Sequence, residues 1–414
     1  MTITVTNDYL VFPVYTYATD KKLVFRYEGE AVYQLNIKLD NATPDFYAYI
    51  DVSRFKGKDM ELSVMPEMEI LFRETDEMDI CNLYRESIRP QAHFTAKNGF
   101  SGNPENLVYS DGMYHLYYRY NPAGKEAENL HLGHATSKDL IHWQEEKISL
   151  FPDEKKDVDT KPSSIFALTD SDGNKKWISM NEKGEYSIGH VENGQFRSEQ
   201  SVCRLRYGKS ACAGQIFAEP EDGRVIYMGW DCMNIPQSGF CGQMGIPTEL
   251  ALKKYNDAYY LKAFPVKEID ILYKNTNQYE NIAIEKEKTV QIPLADAAQF
   301  IRLRGKFEEN AVLDMILFGR MLRIDFSENQ ISVGKNKIPV SLTEKELDIA
   351  LLVDRCSVEI FADGGTIYLY SLSGDVVMDR NLLSLLLSCN TKYSLDFAEI
   401  HALEPIWQTS PKIF

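Results

Sequence analysis

The 414-residue chain is short of several things, and each shortage excludes a class of protein. Long apolar runs are missing: the longest, NLLSLLLSCN at 381–390, falls well below the ~18 residues that a membrane-spanning helix needs. The opening MTITVTNDYLVFPVYTYATDKK has no basic stretch followed by an apolar core, so no secretory leader is expected. The end of the chain carries no retention or lipidation tag. The seven cysteines (Cys81, Cys203, Cys212, Cys232, Cys241, Cys356 and Cys389) are odd in number and show no C-x-x-C spacing. That pattern reads as scattered, mostly buried, reduced thiols and a cytoplasmic setting, with no zinc site and no other metal. Positive charge is also scarce. With 45 basic against 61 acidic residues the formal charge is −16, which argues against a nucleic-acid or anionic-membrane partner held by a broad electrostatic patch.

Helical periodicity is likewise scarce, and what fills the chain is short apolar–polar alternation broken by Gly, Asp and Asn. AVYQLNIKL (31–39), DFYAYIDV (45–52), RVIYMGW (224–230) and LRIDFSENQISVG (322–334) are examples. IALLVDRCSVEIFADGGTIYLYSL (349–372) predicts a hairpin about ADGG, where Asp and Gly tolerate positive φ. Aromatics make up 12% of the chain, with 24 Tyr and 20 Phe, which suits strands and sugar-stacking surfaces. The expected fold class is all-β.

Three regions separate. Residues 1–85 hold several strands and end in the acidic stretch RETDEMDICNLYRES; residues 86–272 are rich in aromatics; residues 273–414 return to plain alternation, expected as a β-sandwich. YKNTNQYENIAIEKEK (273–288) is polar and reads as a linker. The middle region repeats a four-strand unit three times, beginning near Asn106, Ser163 and Gly214. Each unit opens with a strand and an Asp-Gly turn, then a strand bearing Tyr or Trp. Four antiparallel strands at a period of about 50 residues mark propeller blades, with a plain meander of hairpins as the alternative. Trp143, Trp177 and Trp230 are expected to pack within blades. His131 and His134 are placed on one strand face, as packing residues rather than metal ligands.

Several motifs, in order, resemble glycoside hydrolase family 32, the β-fructosidases that act on sucrose, inulin and levan. They are LYRESIRPQAHFTAKNGFSGNPENLVYSDGMYHLYYRYNP (83–122), LHLGHATSKDLIHWQEEKISLFPDE (130–154), GRVIYMGW with GQMGIPTELAL (223–230 and 242–252) and LLVDRCSVEIFADGG (351–365). The resemblance covers most of the chain. It implies a five-bladed propeller with an axial active site, followed by a β-sandwich, with residues 1–85 as an extra N-terminal β-domain. Only three blades fit here, so the expected architecture is a shortened, incomplete family 32-type propeller. Residues 1–85 or a second subunit, in a homo-oligomer, are expected to cover its opening.

Retaining hydrolysis of a fructoside needs two carboxyl groups about 5–5.5 Å apart, a nucleophile and an acid. The family's nucleophile is the Asp of NDPNG; the resemblance puts Asn103 of GNPEN there, and an amide cannot ionise. Asn103 reads either as a sugar-binding group or as a turn residue. The family's acid is the Glu of ECPDLF; Lys161 of KPSSIF falls there, with Asp159 two residues away. The third acid, in RDP, has no counterpart, because only six residues separate LFPDE from KPSSIF. Phe100 stands for the family's Trp before the turn, Arg119 for a Gln and Leu132 for a Trp, while Glu249 of PTEL matches. Phe100, Asn103 and Arg119 are the candidate substrate-binding residues. Glu105, Asp159 and Glu219 are candidate relocated acids, and Arg119 is expected to be buried against Glu105 or Glu219. The resulting expectation is a β-fructosidase-like protein without catalytic carboxylates, binding a fructose-containing saccharide or regulating, with no cofactor. An active hydrolase using relocated acids and a structural or assembly role are the alternatives.

Overall fold

The computed structural model describes residues 1–40, 43–78, 84, 86–152, 163–208, 211–217, 222–235, 238–306, 309–334, 336–339, 346–372, 379 and 381–407. Its strands follow the alternation read above. In Glu30–Ile37, Tyr33, Leu35 and Ile37 point inward while their neighbours face solvent. Residues 2–75 form a four-stranded sheet (Thr2–Thr4, Asp59–Met65, Lys21–Tyr27, Glu30–Ile37) and a three-stranded one (Phe46–Asp51, Tyr9–Val14, Arg73–Thr75). Leu10, Phe12, Leu23, Phe25, Ile50 and Leu62 make the core of this region.

The three repeated units fold as three antiparallel four-stranded blades. Blade one is Gly99–Ser110, Met113–Asn121, His131–Ser137 and Gln144–Glu145; blade two is Ser164–Thr169, Lys175–Met180, Glu185–Glu192 and Gln195–Ser198. Blade three is Ala211–Phe217, Val225–Asn234, Thr248–Tyr255 and Ala258–Pro265. The first turn of blade one uses Asp111 (φ 52°) and Gly112 (φ 73°), the positive φ that an Asp-Gly turn supplies. An added strand, Phe240–Met244, runs parallel to Gly99–Ser110 and antiparallel to Val225–Asn234, joining blades one and three in one sheet.

Blade one is asymmetric. Tyr114, Leu116, Tyr118 and Tyr120 are buried, the first against Phe217 of blade three. His115, Tyr117 and Arg119 on the other face are half-buried. The N-terminal sheets meet blade one through Tyr33 on His131, at 2.6 Å, and through Asn36 and Lys38 on the loop residues Asn129 and Glu126. Those contacts lie on the Tyr114–Tyr120 face and its loop.

The C-terminal region is a sandwich of a seven-stranded and a six-stranded sheet closing over Ile301, Leu313, Ile324, Leu351, Ile360 and Leu387. The predicted hairpin is present, Ser357–Ala362 and Ile367–Leu372 about Asp363 (φ 52°) and Gly365 (φ 97°). The expected linker is not one. Tyr273–Ile284 is a twelve-residue strand paired along Tyr393–Leu403. It is polar because it forms the outermost, largely exposed strand of its sheet, where charged side chains discourage further pairing.

Candidate functional site

The strand Gly99–Ser110 carries the turn that the resemblance singled out. Its pairing with Met113–Asn121 slips twice, between Ser101 and Pro104 and between Pro104 and Asn106. These bulges re-aim the backbone, a device common beside active sites. Asn103 sits within the first of them, half-buried. Gly102 is required here: a Cβ would stand 2.7 Å from a Phe100 ring carbon and 2.8 Å from Cβ of Arg119. Trp230 Nε1 donates to the Ser101 carbonyl at 2.8 Å, and Ser101 Oγ lies 3.1 Å from the carbonyls of Cys241 and Gly242. The bulged segment is therefore pinned from blade three.

Phe100 is 7% exposed and meets Trp230 edge-on at 5.9 Å, so its ring is spent on packing. Arg119 pairs with Glu105, as anticipated, but not as a buried ion: its side chain is 43% exposed and that of Glu105 14%. A long side chain on the half-exposed face of blade one keeps its head near water. Glu105 thus spends its charge on a guanidinium. Lys161, Asp159 and Glu219 lie outside the described residues. Leu132 is half-buried opposite Arg119. Glu249 sits in a surface cluster with Arg224, which is held mainly by Glu268 at 2.8 and 3.1 Å. Between the first strands of blades two and three, Ser164, Asn181, Gly214 and Gln215 line a gap of about 10 Å³, room for roughly one water.

His131 and His134 face opposite sides, being an odd number of residues apart on a strand. His131 is buried against Tyr33, whereas His134 stacks on Tyr117 at 4.4 Å and bonds His115 at 3.0 Å. Trp143 and Trp230 are buried as blade packing, while Trp177 is only half-buried, under Lys175. The cysteines are less buried and less scattered than expected: Cys212 is half-buried, Cys232 exposed, and their sulfurs lie 2.6 Å apart.

A polar cluster where blade and sandwich meet has no local signature in the sequence. His93 Nδ1 lies 2.8 Å from Asp354 and Nε2 3.1 Å from Glu359, and all three side chains are fully buried. Asp354 also accepts the N–H groups of Gln91 and Ala92, and Glu359 binds the Tyr368 hydroxyl. Burial presses the imidazole toward neutrality, but the Glu359 charge and the hydrogen bonds to both acids outweigh it and raise His93 to about 10. Nearby, Arg206 pairs with Asp231 at 2.8 Å, both buried. Burial lifts the Asp231 carboxyl to about 8 against the pull of Arg206. The motif LLVDRCSVEIFA held two of these acids in view, but their partners lie more than 250 residues away. This cluster anchors the segment that leads into Gly99–Ser110.

The family described as "Glycosyl hydrolases family 32 N-terminal domain" matches residues 93–172 and 165–263, the blades that carry the Asn103 turn. Residues 93–263 thus form a glycoside hydrolase family 32 N-terminal domain. Among family 32 relatives, the levanase of Bacillus subtilis is 20% identical, over 79% of this chain and 72% of its own length. The invertase of Schizosaccharomyces pombe is 42% identical over 88 residues, 21% of this chain and 15% of the invertase. Two solved structures share the fold. Exo-inulinase from Aspergillus awamori has a TM-score of 0.65 at 16% identity, covering 78% of this chain and all of that one. A fructofuranosidase from Schwanniomyces occidentalis, in complex with fructosylnystose, has a TM-score of 0.67 at 13% identity, covering 79% and 100%.

Proposed function

We propose that this family 32 chain is a fructoside-binding protein, of binding or regulatory use in carbohydrate metabolism in the cytoplasm, that does not hydrolyse its ligand. The reading is carried by one observation: Asn103, which the resemblance of GNPEN puts at the family's nucleophile position, sits in a bulge fixed by Gly102 and Trp230, and the nearby acid Glu105 is paired with Arg119. An amide keeps hydrogen-bonding capacity but supplies no charge to a developing oxocarbenium ion. Asn103 and Arg119 then offer donors to a furanosyl ring. Solved relatives that bind fructosylnystose and 1-kestose supply the ligand class.

The test pairs turnover with binding. Incubation with sucrose, inulin and levan is expected to release no reducing sugar, while calorimetric titration with 1-kestose gives heat that Asn103→Ala removes. Release of fructose that disappears in Glu105→Gln would overturn the reading in favour of an enzyme with relocated acids.

A further inference from the structure

A second hollow lies on the face of blade one opposite Arg119. It is a cavity of about 190 Å³ between the N-terminal sheets and blade one. At about 30 Å³ per water it would hold several, the scale of one sugar ring. Its walls are unusually aromatic: Tyr9 and Tyr49 from the N-terminal side, Tyr118 and Tyr120 from blade one. Tyr9 and Tyr49 meet edge to face at 6.3 Å, and Tyr49, Tyr118 and Tyr120 are each less than 5% exposed.

The polar groups on this wall divide into two sets. One set is held. Glu145 accepts the Lys97 N–H at 2.6 Å and the hydroxyls of Tyr118, at 3.3 Å, and Tyr84. The Tyr120 hydroxyl donates to Asn98, and Tyr49 takes a hydrogen bond from Arg73 at 3.2 Å. The other set is open. Among the described residues no hydrogen bond engages the Tyr9 hydroxyl, the Lys97 ammonium or the second carboxylate oxygen of Asp51. The first oxygen of Asp51 is occupied by Ser53, at 2.6 and 2.9 Å. Asp51 is 5% exposed, so its open oxygen points into a nearly dry site.

Charge narrows the ligand. Asp51, Glu145 and Glu146 face Lys97 and Lys147 across the hollow, a near balance that favours neither an anion nor a cation. His134 adds no charge, since burial and then His115 lower its pKa. Burial, followed by Asp51, Asp8 and Glu145, pushes the Tyr9 phenol up to about 12, so it stays a donor. What remains is a neutral ligand with flat apolar patches and several hydroxyls, the complement of aromatic walls with a few convergent polar groups.

We propose that this cavity binds a single neutral sugar ring, the Tyr9 hydroxyl and Lys97 ammonium donating to its oxygens and Asp51 accepting from a hydroxyl. The ring packs against Tyr49 and Tyr118. The site is distinct from the Arg119 side of the Asn103 bulge, because its donors and ring walls come from the N-terminal sheets, from Lys97 and from the Tyr118 face of blade one.

The test titrates the intact chain with D-fructose, D-glucose and sucrose by calorimetry, in wild type, in a Tyr9→Phe/Lys97→Met double variant and in Asn103→Ala. Saturable binding of one of these sugars is expected, weakened about tenfold or more in the double variant, with the component that the double variant weakens still present in Asn103→Ala. Binding that is lost in Asn103→Ala and kept in the double variant overturns this site while leaving the proposed function standing. No binding of any of the three sugars overturns it as well. Should the double variant misfold by circular dichroism, a diazirine-bearing fructose on wild-type protein decides instead. Label on the peptides holding Tyr9, Tyr49 or Lys97 supports the cavity, and label confined to 100–110, or no label, sinks it.

Discussion

The two charged clusters near blade one are built in opposite ways. At the bulge, Arg119 and Glu105 form a pair whose arginine is 43% exposed; at the junction, His93, Asp354 and Glu359 are wholly shut from water. A half-wet pair gains little from its Coulomb attraction, since solvent screens it and two long side chains must be ordered. A dry cluster is unforgiving, because removing any member strands a charge. The difference teaches where this fold is locked and where it is free to change. The junction fixes the approach to blade one, whereas the bulge holds its ion pair at the edge of solvent.

The largest break in this comparison is expected from Glu359→Ala, which leaves His93 and Tyr368 facing an empty position. The loss should be about 3–5 kcal/mol in chemical denaturation. Stability against pH comes next. The folded pKa of His93, about 10, lies above its ordinary 6.5, so its contribution is complete below 6.5 and fades as pH rises through 10. Asp354 runs the other way. Burial alone would raise it, but its hydrogen bond to His93 and that group's charge hold it low, so its contribution is present above about 3.9 and fades as pH falls. Unfolding curves from pH 6 to 10.5 should show the alkaline decline in wild type and lose it in His93→Gln; an unchanged decline would refute a charged imidazole.

Gly102→Ala is expected to cost about 1–3 kcal/mol, because the added methyl meets the Phe100 ring and Arg119 Cβ, and to shift Trp230 fluorescence. The smallest effect belongs to Arg119→Ala, at about 0–1 kcal/mol in the same denaturation assay. A cost near that of Glu359→Ala would erase the contrast between the two clusters.

The blades were legible because each strand advertises itself locally. Met113–Asn121 alternates about an Asp-Gly turn, and the propeller and sandwich motifs stand in order along the chain. The exposed strand Tyr273–Ile284 was misread as a linker, since a solvated strand buries too little to show an apolar face. The Asn103 turn was found from its motif, but the partner of Arg119 and its exposure needed the register of two bulged strands. His93 was invisible as a cluster member because Asp354 and Glu359 stand 261 and 266 residues further on.

What the sequence determined by itself is the all-β class and the repeat of four strands, because alternation and turn chemistry are local properties. Only the tertiary structure decided that Glu105 is tied to a half-exposed arginine, that Phe100 is packing, that a dry cluster joins blade to sandwich, and that tyrosines from two regions enclose a cavity. Those outcomes depend on which distant side chains share a volume closed to water, and that follows from how the sheets pack.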